Sequence, residues 1–598
     1  MSDDLTARFL RAAADHPHRV AVRAQDGALD FAELDARTAG LAATLAAHGA
    51  GRGSRVGVHL RRTTDLLVAL LAVWRAGAAY VPLDPAYPAE RLAFLAADAG
   101  VALVISADDA PAVPAGLVIV RPGSRTGGPV PQVTSLPGDP AYVIHTSGST
   151  GPAKGVEVSR GSAAFLVAAL EGIGAYRPEP AVVAWNASVS FDASVQQWAR
   201  VCRGDTVVVL SDDERGDPSR LAAVVAEFGV TDLDLTPSHW ELLRETLAGR
   251  SALRLFMGGE PVPERTWREI EAAGITALNL YGPTECTVDA TAAWIGGPGP
   301  HIGRALPGVG ARILDAGLRP VAEGETGELY LAGPGVALGY TGRAALTAQR
   351  FTADPAGPAG GRMYRTGDLA RQRADGALEF VGRSDRQVKL RGFRIEPGEI
   401  ENALRIDPDV RDTAVDVKEF APGDRRLIAY VTGGAGLSPQ DVRRRLEARL
   451  PAHMVPSEVV ALAAMPLTPS GKTDYRALPV PESRPEPRPA AAAGDRAAAV
   501  PGSPEPLLLE QVAEVWRTVL GVSDVGPSDD FLLLGGHSLA ALRVVHTLRR
   551  TLGVGLQLRH LLDARDLADF TESVRAAMAA GPATTRPSLP RRTTQDAT

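Results

Sequence analysis

The sequence predicts an α/β protein in three parts: a large layered α/β core, a small α+β subdomain and an all-α four-helix domain. Three observations carry this. Amphipathic helical segments alternate with short β-branched apolar runs as far as about residue 380, the pattern of helices layered on buried sheets. A shorter α/β pattern occupies residues 386–480. From residue 506 onward the apolar spacing is helical throughout.

In chain order, 31–48 and 62–76 read as helices, and 101–105, 141–145 and 206–210 as buried strands. In the small unit, 426–432 reads as a strand and 438–450 as a helix. Residues 481–505, PESRPEPRPAAAAGDRAAAVPGSPE, hold Pro, Ala and charge without apolar period, so they read as a linker. As a coil its ends would lie roughly 25–30 Å apart. Three helical runs follow (LLLEQVAEVWRTVL, SLAALRVVHTLRR, LADFTESVRAAM), and the last residues, rich in Thr, Pro and Arg, read as a disordered tail. The expected boundaries are therefore 1–384, 385–480, 481–505, 506–578 and 579–598.

Composition excludes several classes. The chain has 598 residues, of which 45% are hydrophobic, enough for packed cores in several domains. It has no run of 18 apolar residues to span a membrane, and its acidic N-terminus lacks the apolar core of a signal peptide. Two cysteines, Cys202 and Cys286, suit a reducing cytoplasm. A net charge of −7 without a basic stripe argues against nucleic acid as a partner. Only four lysines occur, Lys154, Lys389, Lys418 and Lys472, against 59 arginines. In such a chain a retained lysine marks a position that Arg's planar fork would serve badly.

Residues 141–156, AYVIHTSGSTGPAKGV, run from a strand into a Gly/Ser/Thr loop closed by Lys154. Such a loop exposes backbone N–H groups and hydroxyls that can wrap phosphate oxygens. It is not the common GxxxxGK(S/T) loop, because Gly155 follows the lysine. His145, just before it, reads as a packed strand residue.

The string TSGSTGPAKG resembles the phosphate loop of adenylate-forming enzymes, and that family's further motifs follow in order: YGPTE, GELYLAGPGVALGY, YRTGDL, GRSDRQVKLRGFRIEPGEIE and PLTPSGKTDYRALP. The flavour is that of an amino-acid adenylation domain from a non-ribosomal peptide synthetase. DDFLLLGGHSLAALRV resembles a peptidyl carrier protein. The resemblance covers about residues 10–578. It implies an enzyme that joins an amino acid carboxylate to the α-phosphate of ATP, with Mg²⁺, and passes the product to a 4′-phosphopantetheine thiol.

By that resemblance, Thr146, Ser147, Gly148, Ser149, Thr150 and Lys154 hold the β- and γ-phosphates. Thr284 meets the α-phosphate, Glu285 ligates Mg²⁺, Tyr281 stacks on adenine, and Asp368 with Arg383 holds the ribose. Lys472 bridges the substrate carboxylate and α-phosphate where charge develops. Asp385 is the hinge about which the small subdomain turns. Ser538 opens a helix, where N–H groups and dipole favour a phosphodiester, and carries the phosphopantetheine.

The implied amino-acid pocket comprises Asp192, Ala193, Gln196, Trp240, Phe256, Gly258, Leu280, Val288 and Asp289, closed by Lys472. Asp192 would pair with the substrate α-ammonium. Gln196 and Asp289, polar among apolar neighbours, need partners when buried, and a carboxamide supplies both a donor and an acceptor. The substrate is therefore expected to be L-glutamine, with glutamate or a basic or modified amino acid as alternatives. The chain is expected to be a free-standing loading unit in the cytoplasm, active in natural-product (antibiotic) biosynthesis. Its expected partners are a phosphopantetheinyl transferase, downstream condensation or tailoring enzymes and, from the family, an MbtH-like activator.

Lys472→Ala is expected to abolish amino-acid-dependent ATP–pyrophosphate exchange, and Lys→Arg at 154 or 472 to harm it where Lys418→Arg does not. Wild-type exchange by Lys472→Ala would refute the assignment.

Overall fold

The computed structural model describes residues 4–107, 116–124, 135–148, 151–247, 249–250, 252–421, 424–434, 436–468, 472–481, 504–522, 524–531, 534, 536, 538–556, 560–561 and 564–579. The chain divides into two compact units. The first comprises Met1–Asp212, Ala222–Pro408 and Arg444–Val455, and the second Asp213–Leu221, Asp409–Arg443 and Pro456–Thr598.

Two large sheets form the first unit. A nine-stranded sheet has the order Arg304–Ala305, Thr291–Trp294, Thr276–Tyr281, Arg254–Met257, Asp232–Leu235, Val182–Trp185, Thr206–Val209, Val20–Ala24 and Gly27–Asp30. Its middle strands are parallel and its edges antiparallel. A seven-stranded sheet carries Lys154–Ser159 and Pro140–Thr146 next to Ala79–Pro82 and Arg55–His59. Runs such as TVVV and LVIS form these strands because parallel sheets are covered on both faces and favour β-branched residues. The helix Thr64–Arg75 is buried from Leu66 to Trp74 and touches strands of both sheets. A helix apolar all round belongs in such a layer. At its end the Trp74 indole N–H donates to the Ala141 carbonyl at 2.8 Å, anchoring the strand that leads into the Gly/Ser/Thr loop. A five-stranded antiparallel sheet, including Arg362–Gln372 and Leu378–Arg383, completes the core.

After it comes a two-stranded hairpin, Val388–Leu390 with Phe393–Ile395. Both turn residues are left-handed, Arg391 at φ 54° and Gly392 at φ 80°, the backbone of a tight two-residue turn that Gly adopts without strain. The helix Pro397–Arg405 follows directly.

In the second unit, Val410–Ala421, Asp424–Gly433 and Glu458–Ala461 form a three-stranded sheet. Lys418 on the first strand pairs with Asp416 and donates to the Tyr475 carbonyl at 3.3 Å. The helices Pro504–Leu520, Ser538–Leu552 and Leu567–Ala579 pack Val512, Trp516, Phe531, Val544, Leu548 and Phe570 into a separate core. Between the last two of these helices, residues 557–559 and 562–563 lie outside the described residues, and with them the test of a fourth helix. So do most of the expected linker (482–503) and tail (580–598). Among the described residues no helix is long and apolar enough to cross a membrane.

A buried ion cluster braces the nine-stranded sheet. Arg200 bonds Asp205 at 2.5 Å and Asp232 at 2.8 Å, all three almost fully enclosed, with its guanidinium 3.9 Å from the Tyr176 ring centroid. Arg200→Ala removes the cation shared by the two buried carboxylates, leaving Asp205 to Arg203 and Asp232 to the longer Arg177 pair, and is expected to cost about 3–5 kcal/mol. Thermal unfolding with an unshifted midpoint would contradict this.

Candidate active site

The carboxyl ends of parallel strands are where open α/β sheets bind ligands, and here they assemble a cleft. One cavity of about 130 Å³ exposes Thr146, Ser147, Asp192, Thr284, Asp368 and Arg383. A neighbour of about 330 Å³ exposes Asn279, Tyr281 and Phe380 and shares Lys389 with the first.

The loop side is built by Pro140–Thr146 and Lys154–Ser159, antiparallel neighbours with Thr146 opposite Lys154. A Cβ on Gly148 would meet the Pro152 carbonyl oxygen at 2.3 Å, so the loop closes as tightly as it does only with glycine there. Thr146 Oγ1 is buried without a partner. Ser147 Oγ donates to the Arg394 carbonyl at 2.9 Å, and the Gly148 N–H donates to Glu399 at 3.1 Å. Ser149 and Thr150 lie outside the described residues. His145 is a packed strand residue bonded to Asp98 at 3.0 Å, with burial as the main cause of its lowered pKa.

Glu285 is wholly buried. Its carboxylate meets Arg394 Nη1 at 2.6 Å, the Tyr340 hydroxyl at 2.8 Å and Lys154 Nζ at 3.3 Å. Burial alone would raise its pKa, yet the charges of Arg394 and Lys154 and the Tyr340 hydroxyl hold it well below the usual range. Burial also lowers the pKa of Lys154, against the pull of Glu285. An ionised hard-oxygen donor fits Mg²⁺. Among the described residues no group of three His, Cys, Asp or Glu could hold a metal ion. Elsewhere in the cleft, the Tyr281 hydroxyl donates to Asp368 at 2.5 Å and Arg383 pairs with Asp368. Arg383 also grips Asp385 through two bonds, at 2.7 and 2.9 Å.

The residues expected to form the amino-acid pocket lie at adjacent strand ends. Asp234 stands opposite Phe256 in register, and Gly258 lies against Leu280. Phe256, Leu280 and Val288 belong to one buried cluster, against which Ala193 packs. The Gln196 amide nitrogen donates to Asp234 at 2.5 Å, leaving Gln196 Oε1 buried without a partner, as is Asp289 Oδ2. Burial is the main cause of three raised carboxyl pKa values. Asp192 is raised against a Thr284 hydrogen bond, Asp234 is pushed up to about 7, and Asp289, facing the charges of the other two, lies well above the usual range.

Sequence reasoning missed Asp234. Asp234 meets Gln196, while Trp240 is buried on the helix Pro237–Leu247. Tyr340, Arg394 and Glu399 were inside quoted motifs but had no assigned role. Lys472, in the second unit, is exposed in a turn closed by the Leu467–Thr473 bridge. Ser538 is the first residue of its helix.

The AMP-binding enzyme family matches residues 9–341, the AMP-binding enzyme C-terminal domain 399–472, and the phosphopantetheine attachment site 510–574. The chain is 40% identical over 603 residues to phosphinothricin tripeptide synthetase PhsB of Streptomyces viridochromogenes, covering 97% of this chain and 50% of that protein. It is 37% identical over 601 residues to a dimodular nonribosomal peptide synthase of Bacillus subtilis, covering 97% of this chain and 25% of that one. It thus spans a quarter to a half of these relatives. Among solved structures, a holo non-ribosomal peptide synthetase protein containing adenylation and PCP domains, bound to a vinylsulfonamide inhibitor, aligns with TM-score 0.79 at 28% identity. The alignment covers 96% of this chain and 97% of that one. A four-domain synthetase bound to AMP and glycine aligns with TM-score 0.60 at 31% identity over 96% of this chain and 43% of that one.

The raised pKa of Asp234 has a pH signature. Between about pH 4 and 7 the folded state holds this proton and the unfolded chain does not, so stability falls as pH rises through that window. The stability of the wild type relative to Asp234→Asn is expected to decline from pH 4 to 7 and then level. A pH-independent difference in denaturant melts would refute it.

Proposed function

The chain belongs to the AMP-binding enzyme family and carries a phosphopantetheine carrier in the same polypeptide, and we propose that it activates glutamine with ATP and loads it on Ser538. It is an AMP-forming ligase of the non-ribosomal peptide synthetase type. In our reading the adenylation core is 1–384, its subdomain 385–480, the linker 481–505, the carrier 506–578 and the tail 579–598.

In the first step an oxygen of the amino acid carboxylate bonds to the α-phosphorus and pyrophosphate leaves. In the second the carrier thiol attacks the acyl carbonyl, loses its proton and displaces AMP. Such transfer depends on positioning and charge stabilisation more than on covalent help from the protein. Thr146 to Thr150 and Lys154 receive the β- and γ-phosphates, Thr284 the α-phosphate, Tyr281 the adenine, and Asp368 with Arg383 the ribose. Glu285 would hold Mg²⁺, which when bound neutralises charge on the triphosphate. Lys472 stabilises the developing charge, Asp385 serves as the hinge, and Asp192 takes the substrate ammonium. A phosphopantetheinyl transferase primes Ser538, and downstream synthetase enzymes consume the thioester. An MbtH-like activator is part of the proposal.

The glutamine assignment rests on one observation: Asp234 occupies the Gln196 amide nitrogen, leaving Gln196 Oε1 and Asp289 Oδ2 as the pocket's buried, unpartnered oxygens. A carboxamide NH₂ has one hydrogen for each. Burial and the neighbouring carboxylates raise the pKa of Asp289, which favours its protonated form, a donor to the carboxamide oxygen. A glutamate side chain would bring a negative charge into this buried site, where no cation meets Gln196 Oε1 or Asp289 Oδ2 among the described residues.

ATP–pyrophosphate exchange across an amino acid panel is expected to peak with L-glutamine, and Gln196→Lys to move the preference toward glutamate by pairing its carboxylate. No signal with glutamine, or a stronger one with glutamate or a basic amino acid, would overturn the assignment.

A further inference from the structure

Asp98 is the last residue of the helix Ala89–Asp98, where the helix dipole disfavours an anion. Two partners from distant parts of the chain offset this. His145 Nε2 lies 3.0 Å from Asp98 Oδ2, and the Arg343 guanidinium grips both carboxylate oxygens, at 2.7 and 3.1 Å. Burial would raise the Asp98 pKa, and the bonds from His145 and Arg343 bring it below the usual value. An ionised carboxylate only accepts, so His145 Nε2 carries the hydrogen of their bond. The side chains of His145 and Asp98 are 4% and 13% exposed, so water competes little for it.

The two partners stand at opposite ends of the Gly/Ser/Thr loop. His145 immediately precedes Thr146, on the strand Pro140–Thr146. Arg343 Nη2 donates to the carbonyl of Ala153, the residue before Lys154, at 2.9 Å. One carboxylate thus holds the chain where it enters the loop and where it leaves. The turn bearing Arg343 adds a further tie: the Thr341 N–H donates to the Gly155 carbonyl at 2.8 Å, and Arg343 Nη1 to the Thr341 carbonyl at 3.0 Å. His145 and Gly155 face each other across the two strands, and a Cβ on Gly155 would meet His145 Nε2 at 3.1 Å and Val143 Cγ1 at 2.8 Å. The glycine after Lys154 therefore makes room for the imidazole that Asp98 holds.

We propose that Asp98 is a positioning residue for the phosphate loop, closing its mouth through His145 on one side and Arg343 on the other so that the loop stands ready for the β- and γ-phosphates. This deepens the phosphate-loop reading of residues 146–154 and rests on it. A glycine-rich segment loses much freedom when it is ordered. Fixing its ends beforehand reduces the share of that loss that falls on binding. Asp98 acts through the chain at residues 145 and 153.

Calorimetry on the full chain, with Mg·ATP and with AMP, separates an effect on the loop from a general loosening of the cleft, because AMP lacks the β- and γ-phosphates. Asp98→Asn is expected to bind Mg·ATP about tenfold more weakly, the size of one lost hydrogen bond, and AMP as the wild type does. His145→Leu is expected to show the same selective loss, and His145→Gln, which keeps an N–H in the place of Nε2, to recover it. If Asp98→Asn fails to fold, the two His145 variants carry the same comparison. Wild-type affinity for Mg·ATP in Asp98→Asn or His145→Leu, or an equal loss of Mg·ATP and AMP affinity, would overturn the proposal alone. No binding of Mg·ATP by the wild-type chain would overturn the phosphate-loop reading with it.

Discussion

The cleft is organised around the Glu285 carboxylate. A charge removed this completely from water survives only with close opposite charge, and the structure supplies two cations and a hydroxyl. Lys154 comes from the strand after the phosphate loop, Tyr340 from the short strand paired beside it, and Arg394 from the hairpin. One ion thus ties together three stretches that are far apart in sequence. The Lys154 ammonium also lies 4.6 Å from the Tyr340 ring centroid, so the same pair is held through the ring as well as the hydroxyl.

The amino-acid pocket follows a different logic. Its carboxylates are pushed toward neutrality by burial and mutual repulsion, where Glu285 is kept charged. Acid groups a few residues apart in sequence, Glu285 and Asp289, therefore have opposite electrostatic character. The cleft thus sets an ionised carboxylate at one point and carboxyls driven toward their neutral form at another.

Much of this was legible in the sequence because the family's motifs are contiguous strings, and a strand–loop–strand such as 141–156 builds its site locally. The alternation of periods likewise announced the layered core and the helical domain. What could not be read depends on pairs that only the fold brings together. Gln196 and Asp234 are 38 residues apart, Glu285 and Arg394 109, and Gly148 and Glu399 251. Asp234 sits in DLDL, where a polar residue on a buried strand gives no sign of its partner. Arg394 and Glu399 stand in recognised motifs, yet their charges acquire meaning only beside Glu285 and Gly148.

Lys418 was the one lysine without a role. In the structure it binds the Tyr475 carbonyl, and Thr468 closes the turn onto the backbone of Lys472 just before it. The segment bearing Lys472 is thereby clamped to a strand of the three-stranded sheet. The place where the chain after Lys472 runs is therefore set by the strand that carries Lys418.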